Sequence, residues 1–168
     1  MVRFWTALAH IAGWCLLFLC HGVQATTFCY GVTTSALITL SVSDWKRQMI
    51  PPVCNLVILG SGIVNLALHY RDWAQFLLGA VLVSGLLYGL RRCSGGAAIG
   101  GGDVKLAAAA GLLLGFRRML LAFAIACILG AVVEGVRTRW KRKGQSEKGQ
   151  VVAFGPYLSL GIYLMMLF

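Results

Sequence analysis

The chain has 168 residues, 59% of them apolar and only 12% charged, with a mean hydropathy of +0.81. Soluble domains carry about 25% charged residues, so this composition cannot cover a water-exposed surface, and a soluble globular class is excluded. The net charge is +10, but the basic residues form short clusters between apolar runs instead of lining one face, which reads as orientation in a bilayer and argues against a nucleic-acid partner.

Seven apolar segments are predicted, near residues 4–20, 27–43, 53–69, 73–90, 104–116, 118–136 and 151–168. Each must be helical, because lipid offers backbone groups no hydrogen-bond partner. The predicted class is therefore all-α, a polytopic transmembrane bundle of about seven helices, or six if the first is removed. Residues 1–168 form a single membrane-embedded domain in this reading, with 27–168 as its core. The first segment allows two readings. Arg3, an apolar run and Val23-Gln24-Ala25 resemble a cleavable signal peptide spanning residues 1–25. The run is long for such a signal, so a retained helix is preferred. The fifth segment is short and could be tilted or partly re-entrant.

With the N-terminus in the cytosol, twelve basic residues fall inside: Arg3, Lys46, Arg47, Arg91, Arg92, Lys105, Arg137, Arg139, Lys141, Arg142, Lys143 and Lys148. Three fall outside, Arg71, Arg117 and Arg118. That asymmetry sets the orientation. The longest polar stretch, residues 137–150, becomes a basic cytosolic loop, either a topogenic anchor or a docking surface for a partner or anionic lipid. Small residues recur at helix-packing spacing in Gly85/Gly89, Gly111/Gly115 and Ala131/Gly135.

Six cysteines (Cys15, Cys20, Cys29, Cys54, Cys93 and Cys127) fall mostly inside apolar runs, and His10, His21 and His69 are scattered. With no CxxC, no HExxH and no zinc spacing, neither a metal site nor a cofactor is expected.

Five acids remain: Asp44, Asp72, Asp103, Glu134 and Glu147. Asp72 and Glu147 read as solvated loop charges beside basic residues. The other three lie at or near membrane depth, where charge is costly and functional by default. Asp44 ends the second segment in Ser43-Asp44-Trp45-Lys46, and Asp103 opens the fifth in Gly100-Gly101-Gly102-Asp103-Val104-Lys105-Leu106. The charge count puts both at the cytosolic face. Two facing carboxyls can share one proton, so that one acts as base on a water while the other polarises a peptide carbonyl. A helix cap or an arginine partner is the plainer reading of either.

Gly100, Gly101 and Gly102, within the glycine-rich tract 95–102, either let a substrate strand approach closely or bend the loop that presents Asp103; a plain linker is the alternative. Lys105 either holds the carboxylate charged and binds substrate or anchors the helix at the cytosolic face. Glu134 lies one turn before Arg137, as an ion pair or as a reader of a basic peptide. Because Asp44 stands at a helix C-terminus and Asp103 at a helix N-terminus, the dipoles predict a protonated Asp44 and an ionised Asp103.

Gly-Gly-Gly-Asp-Val-Lys-Leu at 100–106 resembles the GxGD motif of the type IV prepilin peptidases. Asp44 with Ile50-Pro51 resembles that family's first aspartate segment, and Phe154-Gly155-Pro156-Tyr157-Leu158-Ser159-Leu160-Gly161 resembles its FGPxLxLG stretch. The motifs come in the family's order and cover roughly residues 27–168. The resemblance implies an aspartyl endopeptidase of the bacterial inner membrane, with Asp44 and Asp103 at the two catalytic positions. Its implied substrates are type IV prepilins or pilin-like pseudopilins, cut at the cytosolic face. Longer members carry a zinc-binding insert with paired CxxC motifs and also methylate the new N-terminus; this chain resembles a short form without it, which puts methylation in doubt. Pro52 replaces the polar residue usual after Ile-Pro. Two alternatives remain at this point: a non-enzymatic membrane subunit of a pilus, secretion or conjugation apparatus, and a proton-coupled transporter using Asp44, Asp103 and Glu134. The transporter is disfavoured by acids at one face instead of mid-membrane.

Overall fold

A computed structural model describes residues 2–47, 51–93, 100–141 and 154–168, with side chains described for 5–45, 51–93, 100–133, 135–136 and 154–168. Part of the glycine tract, the side chains of residues 137–150, Lys46 and the proposed Glu134–Arg137 pair therefore lie outside the described side chains, and the backbone of 137–141, expected as loop, continues α7.

The described residues are almost all helical: α1 (Val2–His21), α2 (Ala25–Arg47), α3 (Pro52–Leu68), α4 (Trp73–Leu78), α5 (Ser84–Cys93), α6 (Gly101–Leu114), α7 (Phe116–Lys141) and α8 (Gly155–Leu167). A π-helical stretch, Gly79–Val83, joins α4 and α5 into one rod, so seven rods result, as the hydropathy segments predict. Three stretches, Ala25–Trp45, Tyr70–Cys93 and Phe116–Val133, are long and apolar enough to cross a membrane. The shorter Trp5–His21, Pro52–Leu68 and Gly155–Leu167 are also apolar helices.

Local chemistry sets the boundaries. Gly22 at φ 67 turns the chain between α1 and α2. Pro52 is the first residue of α3, where its ring presets a helical φ and its missing N–H costs nothing. Gly115 at φ 78 breaks α6 from α7, which is why the fifth segment stops at Leu114 and the next begins at Phe116.

The α6 helix is the centre of the bundle. At 14 residues it is about 21 Å long, and nine of those residues are buried, with α3, α5, α7, α8 and the π-helical stretch packed around it. Small side chains allow this enclosure. A Cβ on Gly111 would lie 2.5 Å from the carbonyl carbon of Gly79 and 2.7 Å from Ala80 N, so the two backbones meet directly. Gly62 brings α3 within similar reach of Ala109, Leu112 and Leu113. Asn65 of α3 donates through Nδ2 to the Leu113 carbonyl at 2.8 Å, satisfying one of the acceptors left free at the end of α6. Of the small pairs picked out by spacing, Gly111/Gly115 seats a neighbouring helix: a Cβ on Gly79 would lie 2.6 Å from the Gly115 carbonyl carbon and 2.8 Å from the Gly111 oxygen. A Cβ on Gly85, Gly89 or Gly135 would meet nothing within 4 Å, and Gly115 is a chain break.

At one end, Tyr30 and the Phe168 carbonyl accept from Arg118 at 3.4 and 3.3 Å, and the His21 ring meets the Met166 carbonyl at 2.7 Å. The opposite end gathers the end of α2, the end of α5 and the starts of α6 and α8. Exposed Trp5 and Trp45 mark this second end, while exposed Tyr70 and Trp73 mark the first. Two aromatic levels of this kind are the pattern of a bilayer's interfaces.

Candidate functional site

Asp103 is the third residue of α6. Its Oδ2 accepts from the backbone N–H of Gly100, the residue before the helix, at 3.2 Å, and its own N–H donates to the Gly100 carbonyl at 3.2 Å. This is the reach-back of a helix-capping carboxylate, and it consumes one oxygen. The other, Oδ1, is buried and has no hydrogen-bond partner among the described residues. Asp44 occupies the last turn of α2. Only 6% of Asp44 and 4% of Asp103 is exposed, and burying two carboxylates with no cationic partner among the described residues is costly. The pair is therefore a feature that packing alone would select against.

The two meet over Gly155, the first residue of α8. A Cβ on Gly155 would overlap Asp44 Oδ2, lie 3.0 Å from Asp44 Cγ and lie 3.5 Å from Asp103 Oδ1. Laid end to end, those two distances put Asp44 Cγ and Asp103 Oδ1 at most about 6.5 Å apart. The Gly155 backbone N–H also donates to the Asp44 carboxylate. So α2 and α6 each bring one carboxyl, and the N-terminus of α8 closes the space between them.

This arrangement corrects the dipole argument. Asp44 does end its own helix, but it also lies against the N-terminus of α8 and takes a backbone N–H from it. Each carboxyl thus has one helix N-terminus and one amide, which offsets the α2 dipole that alone would favour a protonated Asp44.

The glycines before Asp103 are not a loose strand. Gly100 caps α6, and Gly101 and Gly102 form its first turn. The guanidinium of Arg91 lies over Gly101: a Cβ there would overlap Nη1 and lie 3.1 Å from Cζ. Lys105 is exposed. Two residues from Asp103 on the same helix it points about 200° away, so it does not join the pair. Gly155 and Arg91 are the site residues that sequence reasoning missed. Gly155 stood in a quoted motif without a role, and Arg91 was counted only as a topological charge.

No group of three or more His, Cys, Asp or Glu side chains capable of holding a metal occurs among the described residues. What fold and site define is a helical membrane-type bundle with two buried carboxyls converging at one end. The sequence profile of the type IV leader peptidase family matches residues 31–134, which include both aspartates. The chain belongs to that family. Its curated relatives include prepilin leader peptidase/N-methyltransferases. The one from Dickeya chrysanthemi is 33% identical over 137 residues, 79% of this chain and 46% of the relative. The one from Pectobacterium carotovorum is 30% identical over 135 residues, 77% and 47%, and the one from Escherichia coli K12 is 32% identical over 130 residues, 74% and 56%. The chain spans about half the length of these relatives. No solved structure matches it significantly.

Proposed function

We propose that this protein is an aspartyl endopeptidase that removes the leader from type IV prepilins or pilin-like pseudopilins. The observation that carries the reading is the convergence of Asp44 and Asp103, from distant stretches of chain, on the space over Gly155. Family membership supports the same chemistry, since the named relatives are prepilin leader peptidases.

In this mechanism the pair shares one proton. The ionised carboxyl takes a proton from water as that water attacks the scissile carbonyl, and the protonated one polarises the carbonyl oxygen. The Gly100 amide holds Asp103 Oδ2 and the Gly155 amide holds the Asp44 carboxylate, which leaves the unpartnered Asp103 Oδ1 for the reacting atoms. A proton or a bound water at that oxygen satisfies it. Catalysis needs neither a metal nor a nucleophilic side chain.

The site end of the bundle carries Arg91 and Lys105, and the opposite end carries Arg71, Arg117 and Arg118. Arg137, Arg139 and Lys141 stand in the last turns of α7, and the basic residues that follow them in sequence precede α8, so positive charge supports a cytosolic site end in a bacterial inner membrane. The substrate is cut at this face, beside its hydrophobic helix.

Co-expression with a prepilin tests the reading. Wild type shortens the prepilin, and Asp44→Ala and Asp103→Ala each lower cleavage by about 10²–10⁴-fold or more, the usual contribution of a general acid or base. Cleavage that survives both single changes rejects the mechanism and favours a non-enzymatic subunit.

A further inference from the structure

Gly155 touches both carboxyls, yet nothing in the paired-aspartate chemistry calls for a glycine on a third helix. Three observations meet there. A Cβ at 155 would overlap Asp44 Oδ2 and crowd Asp44 Cγ at 3.0 Å, a distance that forces the carboxyl to move. The Gly155 amide donates to that same carboxyl. Gly155 opens α8 with Pro156 behind it, so the amide belongs to the first turn of a helix with a preset φ and is not supplied by a loop. The φ of Gly155 is not in the left-handed region, where only Gly22 and Gly115 fall among the described glycines. Backbone conformation therefore does not demand a glycine here, and the demand comes from Asp44.

We propose that Gly155 is a positioning residue for the aspartate pair: its amide anchors Asp44, and its missing side chain is the space in which the two carboxyls come together. The inference rests on the paired-aspartate reading above. It makes α8 a third wall of the site. A one-carbon addition acts here through Asp44, shifting its carboxyl while leaving the chain's own chemistry intact.

The test is a pair of measurements on the full chain in detergent. Gly155→Ala is expected to lower kcat for prepilin cleavage by about 10²-fold, the effect of a misplacement near 1 Å, with KM little changed. Gly161→Ala is the comparison. Its Cβ would strike the Ala122 backbone, 3.1 Å from the carbonyl carbon and closer to the oxygen, on the same helix but away from the carboxyls. It should lower the melting temperature without the selective loss of kcat.

The second measurement is a thermal-stability cycle with Asp44→Ala. Removing the Asp44 carboxyl leaves Asp103 Oδ1, at an ordinary 3.5 Å, as the nearest of the three atoms. The melting-temperature loss caused by Gly155→Ala should therefore largely vanish in the Asp44→Ala background. A Gly155→Ala protein that does not fold alone but folds with Asp44→Ala supports the proposal equally. An equal loss in both backgrounds overturns it, as does wild-type kcat in Gly155→Ala. If Asp44→Ala and Asp103→Ala themselves cleave, the paired-aspartate mechanism fails first; if they do not and Gly155→Ala does, only the positioning role fails.

Discussion

Gly111→Ala measures how tightly the central helix is held. The added carbon would lie 2.5 Å from the Gly79 carbonyl carbon and oxygen and 2.7 Å from Ala80 N, all of them backbone, whereas ordinary contact begins at 3.4 Å. No side chain can rotate away, so α6 and the π-helical stretch must part by about 1 Å. Forced overpacking of this kind costs about 1–3 kcal/mol. The displaced helix also carries Asp103, two turns from Gly111, so the carboxyl geometry shifts with it, and a 1 Å error at a reacting centre costs about 10²-fold in rate. The assay is thermal unfolding in detergent alongside prepilin cleavage, with Gly60→Ala and Gly85→Ala as references because a Cβ at either would meet nothing within 4 Å. Those references should be neutral or stabilising by about 0.5–1 kcal/mol, since alanine is the better helix former. A Gly111→Ala protein with wild-type melting and wild-type cleavage would show that α6 and the π-helical stretch do not approach as described.

Other outcomes follow from the same packing. Asp44→Asn and Asp103→Asn should fold with melting temperatures equal to or above wild type, by about 1 kcal/mol, because each removes one of two facing buried carboxyls while abolishing cleavage; a melting temperature well below wild type in both would mean the pair is structural. Asn65→Ala should lower stability by about 1–3 kcal/mol, because it strands the buried Leu113 carbonyl that Asn65 serves at 2.8 Å. Lys105→Met should leave stability within about 0.5 kcal/mol, as expected of an exposed side chain, and should impair cleavage far less than Asp103→Asn; a loss as deep as Asp103→Asn would bring Lys105 back into the site.

Seven rods, their order and their ends to within a few residues were legible in the hydropathy pattern, because the bilayer imposes helix and length on any apolar run. The two aspartates were legible as a pair because acids are so few that position singles them out. Their shared end followed from alternating topology. Yet the pattern misjudged which small residues pack. Gly85/Gly89 and Gly111/Gly115 look alike in sequence, but only the second pair lies against a neighbouring backbone, that of Gly79. In a helix apolar all round, periodicity carries no information about which side faces protein.

The same limit divides what each level determined about this protein. Composition, charge and motif order were sufficient for an all-α bundle and two candidate carboxyls, since those depend on solvent and on local residue type. That α6 is the enclosed centre, that Gly101 lies under Arg91, and that the start of α8 comes between Asp44 and Asp103 were decided only by tertiary packing. Contacts between helices far apart in the chain depend on which faces meet, and no single segment encodes that.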